Sequence, residues 1–292
     1  MTQWIPEKTG DGSHTFFSPE YGETFHSRQG AKSESFQKFA IATQLAQRAQ
    51  ADQLSLLDVC YGLGYNSAAS LETIWQVNPH CHVTLYALEI DDTVPIAATV
   101  PELISDWQPQ TQVILKDLAT QFKSKSPTLD ATLLIGDARQ TIQTLIAQGF
   151  KADAICLDPF SPRRCPQLWT IEFCHFLAQC LAADGRMATY SRSASVRKAF
   201  QEVGLKIGTI PLMGDHFLPH EWAQGTTAAW QDDDLQAFSQ MELEHLNTRA
   251  ATPYRDPSLT DTALVIRQRQ QEEVHRSTAE STSSWRKRWG LQ

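Results

Sequence analysis

Leu54-Ser55-Leu56-Leu57-Asp58-Val59-Cys60-Tyr61-Gly62-Leu63-Gly64-Tyr65-Asn66 is an apolar run that ends on an acid, followed by a Gly-x-Gly turn and a segment rich in Ala, Ser and Leu. Strand, glycine turn and helix in that order build the crevice at the carboxyl end of a parallel strand, where α/β sheets hold nucleotide-like ligands. Gly62 and Gly64 let the backbone turn sharply and approach a ligand closely. Asp58, at the strand end, can accept hydrogen bonds from an amino group or from hydroxyls. A pyrophosphate turn wants a third glycine three residues on, and that position is Ser67, preceded by Asn66. An acid before a short Gly-x-Gly therefore suits S-adenosylmethionine, which carries no phosphate. Such turns also serve merely to pack helix on strand, so the neighbouring strands must be weighed with this one.

Val83 to Asp91 predicts a second strand ending in acids. An acceptor roughly twenty residues past the glycine turn is what ribose hydroxyls call for; Glu89 is the candidate, whereas Asp91 and Asp92 suit a helix N-terminus. Ala131 to Ile135 predicts a third strand delivering Gly136-Asp137-Ala138 to the same edge. Asp137 can accept from an exocyclic adenine amine or simply cap the helix expected over 138–148. The fourth strand, Ala152 to Leu157, delivers Asp158-Pro159-Phe160-Ser161-Pro162, and its two prolines stiffen the loop through fixed φ. There Asp158 and adjacent carbonyls can hold an amine beside the aromatic face of Phe160. Arg163, Arg164 and Trp169 follow, a basic and aromatic mixture useful for single-stranded nucleic acid. A proline-rich connector whose Asp158 caps the next helix is the plainer alternative.

Helices are expected over 32–50, 66–76, 95–105, 110–122, 169–181 and 194–203, from apolar positions recurring at helical spacing. Asp184-Gly185 predicts a turn into a fifth strand over 186–191, and a sixth strand covers 205–210. Strand–helix alternation with short turns predicts a doubly wound, mostly parallel α/β sheet. Residues 1–50 are expected to cover the ligand site, 51–231 to form the α/β domain, and 232–292 to form a helical extension with a basic tail. Thr226 to Trp230 reads as a last antiparallel strand, and Ser258 to Asp261 as the cap of a helix reaching about Arg276. The end, Ser284-Trp285-Arg286-Lys287-Arg288-Trp289, is either a tail that touches RNA or a segment docked by its indoles.

With 292 residues, 41% of them hydrophobic, the chain can bury one sizeable core. No apolar run is long enough to span a bilayer, and Met1 to Asp11 is too polar for a signal peptide. The six cysteines form no C-x-x-C pair and several sit among apolar neighbours, which predicts a reducing, cytoplasmic compartment and no structural zinc. His216, His220 and Glu221 lack a third ligand at useful spacing, so no metal is expected. A net charge of −8 argues against indiscriminate nucleic-acid binding without excluding a local basic patch.

Several segments together resemble one family. Asp11-Gly12-Ser13-His14-Thr15, Ser18-Pro19-Glu20-Tyr21-Gly22-Glu23 and His26-Ser27 with Gly30 look like its opening signature. Asp58 to Asn66 is similar to its glycine loop. Asp158 to Pro162 with Pro166, Leu168 and Trp169 resembles its Asp-Gly-Phe-[Ala/Ser]-Pro loop, and Thr189-Tyr190-Ser191 with Val196-Arg197 its fifth-strand motif. The family is the MnmC-like tRNA methyltransferases, which convert the 5-aminomethyl group of a wobble (2-thio)uridine to methylaminomethyl. The resemblance covers roughly Gly10 to Ile210. It implies a class I S-adenosylmethionine-dependent, Rossmann-like methyltransferase unit standing alone, with no flavin oxidoreductase half. Pro159 stands for the usual Gly and Cys165 for the usual Asn, and Gly214 to Thr227 replaces an expected Lys-Arg segment.

On this reading Gly62, Gly64, Asn66, Glu89, Asp137 and Ala138 hold S-adenosylmethionine, with Asp58 near its amino-acid end. Tyr21, Glu23 and Ser27 would close over it. Asp158 would accept or hold the proton of the substrate amine, and Phe160, Tyr190 or Trp169 would stack on the uridine. Arg163, Arg164 and Arg197 are the candidates for phosphate contacts with the tRNA anticodon region. Two other readings stay open. One is a methyltransferase or aminopropyltransferase acting on a small-molecule amine, and the other a methyltransferase-like domain kept only for binding.

Overall fold

A computed structural model describes residues 4–212, 222–231 and 234–291. Most of the segment 214–227, with His216, His220 and Glu221, therefore lies outside the described residues, as do Asp232 and Asp233.

Two short antiparallel pairs, Glu7–Lys8 with His14–Thr15 and Phe17–Ser18 with Glu23–Thr24, open the chain. The strands of the main sheet are β1 (Gln53–Val59), β2 (His82–Glu89), β3 (Lys123–Ser126), β4 (Leu129–Ile135), β5 (Ala152–Leu157), β6 (Leu181–Thr189), β7 (Lys206–Ile210) and β8 (Gly225–Ala229). They form one eight-stranded sheet in the order β7-β8-β6-β5-β1-β2-β4-β3. From β6 to β4 every pairing is parallel. β8 runs antiparallel between β6 and β7, and β3 antiparallel beside β4. Strand order reverses between β1 and β5, and that switch point leaves an open crevice at their carboxyl ends.

Alternation along each strand sends successive side chains to opposite faces. In β1, Leu54 and Leu56 enter one core, Leu57 and Val59 the other. The first core is closed by α1 (Ala31–Ser35), the widened helical turn that follows it over Phe36–Ile41, α2 (Tyr65–Val77) and α3 (Pro109–Gln121). The second is closed by α4 (Ala138–Ala147), α5 (Ile171–Cys180) and α6 (Ala194–Glu202). The chain ends in α7 (Gln240–His245), α8 (Ala263–Arg276) and α9 (Thr282–Arg288).

Several expectations are corrected. The helix foreseen over 95–105 is two short helices, Thr93–Ala97 and Pro101–Ile104. The helix foreseen over 32–50 is broken at Gln44, which adopts φ +60; the Thr43 hydroxyl donates back to the Phe39 carbonyl, and Arg48 Nε takes the carbonyl of Thr43. Asp184-Gly185 lies inside β6, at its register shift against β5, where a Cβ on Gly185 would sit 2.6 Å from the Ala152 carbonyl oxygen. β3 was not foreseen. The cap of α8 is Thr262, while Thr260 and Asp261 donate their N–H groups to the buried Asp256.

The basic tail docks by its indoles. Trp285 is fully buried, donates to the Met241 carbonyl at 3.2 Å and stacks on His245 with ring centres 4.3 Å apart. Arg288 pairs with both Glu244 and Glu280. No helix among the described residues is long and apolar enough to cross a membrane, and all six cysteines are free thiols.

Candidate active site

The crevice at the switch point is a cleft of about 1040 Å³ counted with its open mouth. Its floor is the glycine loop. Gly62 adopts φ +53, and its N–H donates to Glu89 Oε2 at 2.8 Å. The other oxygen of Glu89 accepts from the N–H groups of Ile90 and Asp91, at 2.8 and 3.0 Å. Burial raises the pKa of Glu89, and those three backbone donors oppose the rise. Glu89, Asp137, Ala138, Tyr21 and Gly62 all line the cleft.

Asp137 serves two ends at once. It lines the cleft and caps α4 by accepting from the Arg139 N–H, while the Arg139 guanidinium grips both its carboxylate oxygens. Arg139, which the sequence reading passed over, also pairs with Asp256 at 2.7 Å, so the C-terminal extension is tied to the cleft wall.

Asp58, Gly64 and Asn66 lie one layer deeper and do not line the cleft. Asp58 is buried and accepts from the Ser67 hydroxyl at 2.6 Å; burial pushes its pKa up to about 7. Its second oxygen has no partner among the described residues. Gly64 is required by packing: it adopts φ +79, and a Cβ there would meet Tyr61 Oη at 2.5 Å and Leu115 Cδ2 at 2.8 Å. Gly64→Ala is expected to cost about 2–4 kcal/mol of stability, read as a lowered urea midpoint, because the strained backbone and the overlap add. Asn66 Nδ2 donates to Asp158 Oδ2 at 2.8 Å, so it orients that carboxylate.

Asp158 stands where two cavities meet. It lines the cleft and also an outer chamber walled by Glu34, Lys38 and Tyr190, with Phe25, His26 and Phe160 shared between the two. Its N–H donates to the Val59 carbonyl, which fixes the corner to the end of β1. Burial first, then the nearby Glu34, raises its pKa well above the ordinary carboxylate range; the Asn66 hydrogen bond opposes this.

The N-terminal segment folds over this corner. Tyr21 stacks on Phe160 with ring centres 4.3 Å apart, and Phe25 meets Phe160 edge-on. Glu23 accepts from the N–H and the hydroxyl of Ser161, at 2.9 and 2.6 Å. Removing that carboxylate should loosen the strap: Glu23→Ala is expected to raise the cofactor Kd about five- to tenfold, measurable by calorimetry, as charged hydrogen bonds are lost. Ser27 is not part of the strap's inner face. Its N–H is taken by Glu34 at 2.7 Å, and it lines the outer cavities only.

Expected substrate contacts divide. Tyr190 lines the outer chamber and donates to the Pro159 carbonyl at 2.8 Å. Arg163 and Arg164 are exposed, outside both cavities. Trp169 is fully buried, its indole N–H donating to the Phe160 carbonyl, so it props the loop and cannot stack on a base. Arg197 is fully buried as well: its guanidinium binds Glu242, Thr226 and the Gly225 carbonyl, out of reach of any phosphate. Phe25, His26, Glu34 and Lys38 were missed. His26 stands inside the opening signature but was given no role there; Phe25, Glu34 and Lys38 only lie near it.

The donor set fits S-adenosylmethionine. Two carboxylates close neighbouring strands, the glycine loop passes beneath, aromatic rings cover the mouth, and Gln167 Oε1 is a buried acceptor with no partner among the described residues, in a side chain that lines the cleft. Fold and crevice define a class I, Rossmann-like methyltransferase whose cofactor is S-adenosylmethionine. Residues 101–216 match the family described as S-adenosyl-L-methionine-dependent methyltransferase. The chain is 28% identical over 211 residues to the tRNA 5-methylaminomethyl-2-thiouridine biosynthesis bifunctional protein MnmC of Azoarcus sp. (strain BH72), covering 68% of this chain and 32% of that protein. It thus spans about a third of the length of the bifunctional relatives it matches. An uncharacterised protein of Methanocaldococcus jannaschii is 26% identical over 266 residues, 87% of this chain and 67% of that one. The crystal structure of MnmC2 from Aquifex aeolicus superposes with a TM-score of 0.80 at 28% identity, covering 95% of this chain and 87% of that one. These likenesses mark an MnmC-like methyltransferase unit.

Proposed function

We propose that the protein methylates the amine of a 5-aminomethyl-(2-thio)uridine at the wobble position of tRNA. The observation that carries this reading is Asp158, a carboxylate of raised pKa on the wall between the cofactor cleft and an outer chamber. Bound S-adenosylmethionine supplies an electrophilic methyl group, which an unprotonated amine must approach in line. Glu89 would take the ribose hydroxyls, and Asp137, Ala138 and Gln167 would border the adenine. An alkylamine is largely protonated at neutral pH. Asp158 accepts its proton, or holds the N–H while the lone pair turns toward the donor, and Asn66 keeps the carboxylate in register. Tyr21 and Phe25, held down through Glu23, exclude water from the reacting atoms. A uridine must leave the anticodon stack to enter the outer chamber, where Tyr190 and Phe160 offer aromatic faces.

The bifunctional relatives are named for 5-methylaminomethyl-2-thiouridine synthesis, which supports the nucleoside assigned here. The deciding experiment is radiolabelled methyl transfer to undermodified tRNA with nucleoside analysis. Methylaminomethyl product at the wobble uridine is expected; label on free polyamines with none on RNA would replace this reading by the small-amine one.

A further inference from the structure

Beyond Tyr190 the outer chamber runs on into a groove of about 1620 Å³, counted with its open side. Chamber and groove share Ser27, Glu34, Lys38 and Tyr190, so a strand entering one continues into the other. The far wall comes from parts of the chain that the catalytic reading leaves idle: Arg192 after β6, Trp222 and Gln224 before β8, His245 at the end of α7, and Arg286 on α9.

Three features of this wall go together. The first is charge. In a chain of net −8, the described lining of this groove holds three cations, Lys38, Arg192 and Arg286, and one acid, Glu34, which is already engaged by Lys38 and by the Ser27 N–H. Arg286 is exposed and forms no ion pair among the described residues, whereas its neighbour Arg288 is held by two glutamates. The second is aromatic surface: the Arg192 guanidinium lies 4.4 Å over the Trp222 ring, which meets Trp285 and His245 edge-on. The third is unspent hydrogen bonding. Trp222 Nε1, Gln224 Oε1 and His245 Nδ1 are all buried and have no partner among the described residues; His245 itself is 8% exposed. Buried polar atoms are normally satisfied, so three orphans in one groove mark a place where a ligand supplies partners.

We propose that this groove binds the ribonucleotide adjoining the target nucleoside, with its phosphate on Arg286 and its sugar and base edge against Trp222, Gln224 and His245. Cations for the backbone, an aromatic face and a mixed donor–acceptor set are what single-stranded RNA recognition requires. An acidic peptide could use the same groups, but the groove continues from the chamber assigned to the target nucleoside, which favours the neighbouring nucleotide. The proposal rests on the RNA reading above, and it gives the basic tail a purpose: Trp285 docks it and Arg286 faces the substrate.

The test compares wild type and Arg286→Glu on two substrates, a short anticodon stem-loop RNA carrying 5-aminomethyluridine and the free 5-aminomethyluridine nucleoside. Charge reversal is expected to raise KM for the stem-loop about five- to twentyfold and to flatten its dependence on log salt by about one unit, with kcat and nucleoside turnover unchanged. Trp222→Phe, which keeps a ring but deletes the N–H, should raise the same KM by about threefold without altering the salt slope. If the charge reversal lowers the melting temperature, Arg286→Gln supplies the salt-slope readout. A stem-loop methylated by wild type and by Arg286→Glu with equal KM and equal salt slope overturns the groove assignment alone. A wild-type enzyme that methylates the nucleoside but ignores the stem-loop overturns the RNA reading, and this one with it.

Discussion

Asp158→Asn should lose about two to four orders of magnitude in kcat while the Kd for S-adenosylmethionine changes less than about threefold. The amide keeps the shape of the side chain and can still meet Asn66, but it cannot take a proton from an alkylammonium. The pH profile separates this role from a structural one. Burial and the neighbouring Glu34 hold the carboxyl well above its ordinary range, so its ionised, proton-accepting form grows in as pH rises through that elevated value. Wild-type kcat/KM therefore climbs with pH on a limb that Asp158→Asn lacks, and the variant keeps only the limb belonging to the free amine. Stopped-flow turnover alongside calorimetry gives both numbers. Normal turnover with weakened cofactor binding would remove Asp158 from the chemistry and make it a ligand of the cofactor.

Arg197→Ala should be the most destabilising single change, about 3–5 kcal/mol, because it leaves Glu242 buried without its cation. The urea midpoint should fall with little change in slope. Adding Glu242→Gln should restore part of the loss, since the orphaned charge disappears with it. A variant of full stability that binds RNA poorly would return Arg197 to the phosphate contacts its sequence neighbourhood suggests.

The misreading of Arg197 and the oversight of Arg139 have a common cause. Arg197 lies beside Thr189-Tyr190-Ser191 in sequence and looks available, but its carboxylate partner arrives 45 residues later on α7. Arg139 resembles an ordinary helix residue for the same reason, its other partner being Asp256. Long-range ion pairs leave no local periodicity. What the chain does announce is the sheet: apolar runs ending on Asp58, Glu89, Asp137 and Asp158 carry both the strand signal and the edge at which it stops. Even there, sequence could not tell depth. Asp58 and Glu89 end adjacent strands, yet Asp58 is tucked beneath the glycine loop while Glu89 faces the cleft. β3 stayed hidden because Lys-Ser-Lys-Ser has no apolar alternation, which is how an exposed edge strand avoids unwanted pairing. Trp169 was misassigned because an indole beside arginines reads as a stacking platform; only the fold reveals that its N–H is spent on the Phe160 carbonyl.

Arg139 has a consequence for chimeras. One guanidinium neutralises Asp137 on the cleft wall and the fully buried Asp256 of the closing segment. In this chain the α/β core and the segment carrying Asp256 therefore share one buried ion pair rather than packing as independent pieces. A chimera that imports a foreign ending without an acid at that spot inherits a cofactor wall whose arginine is only half restrained.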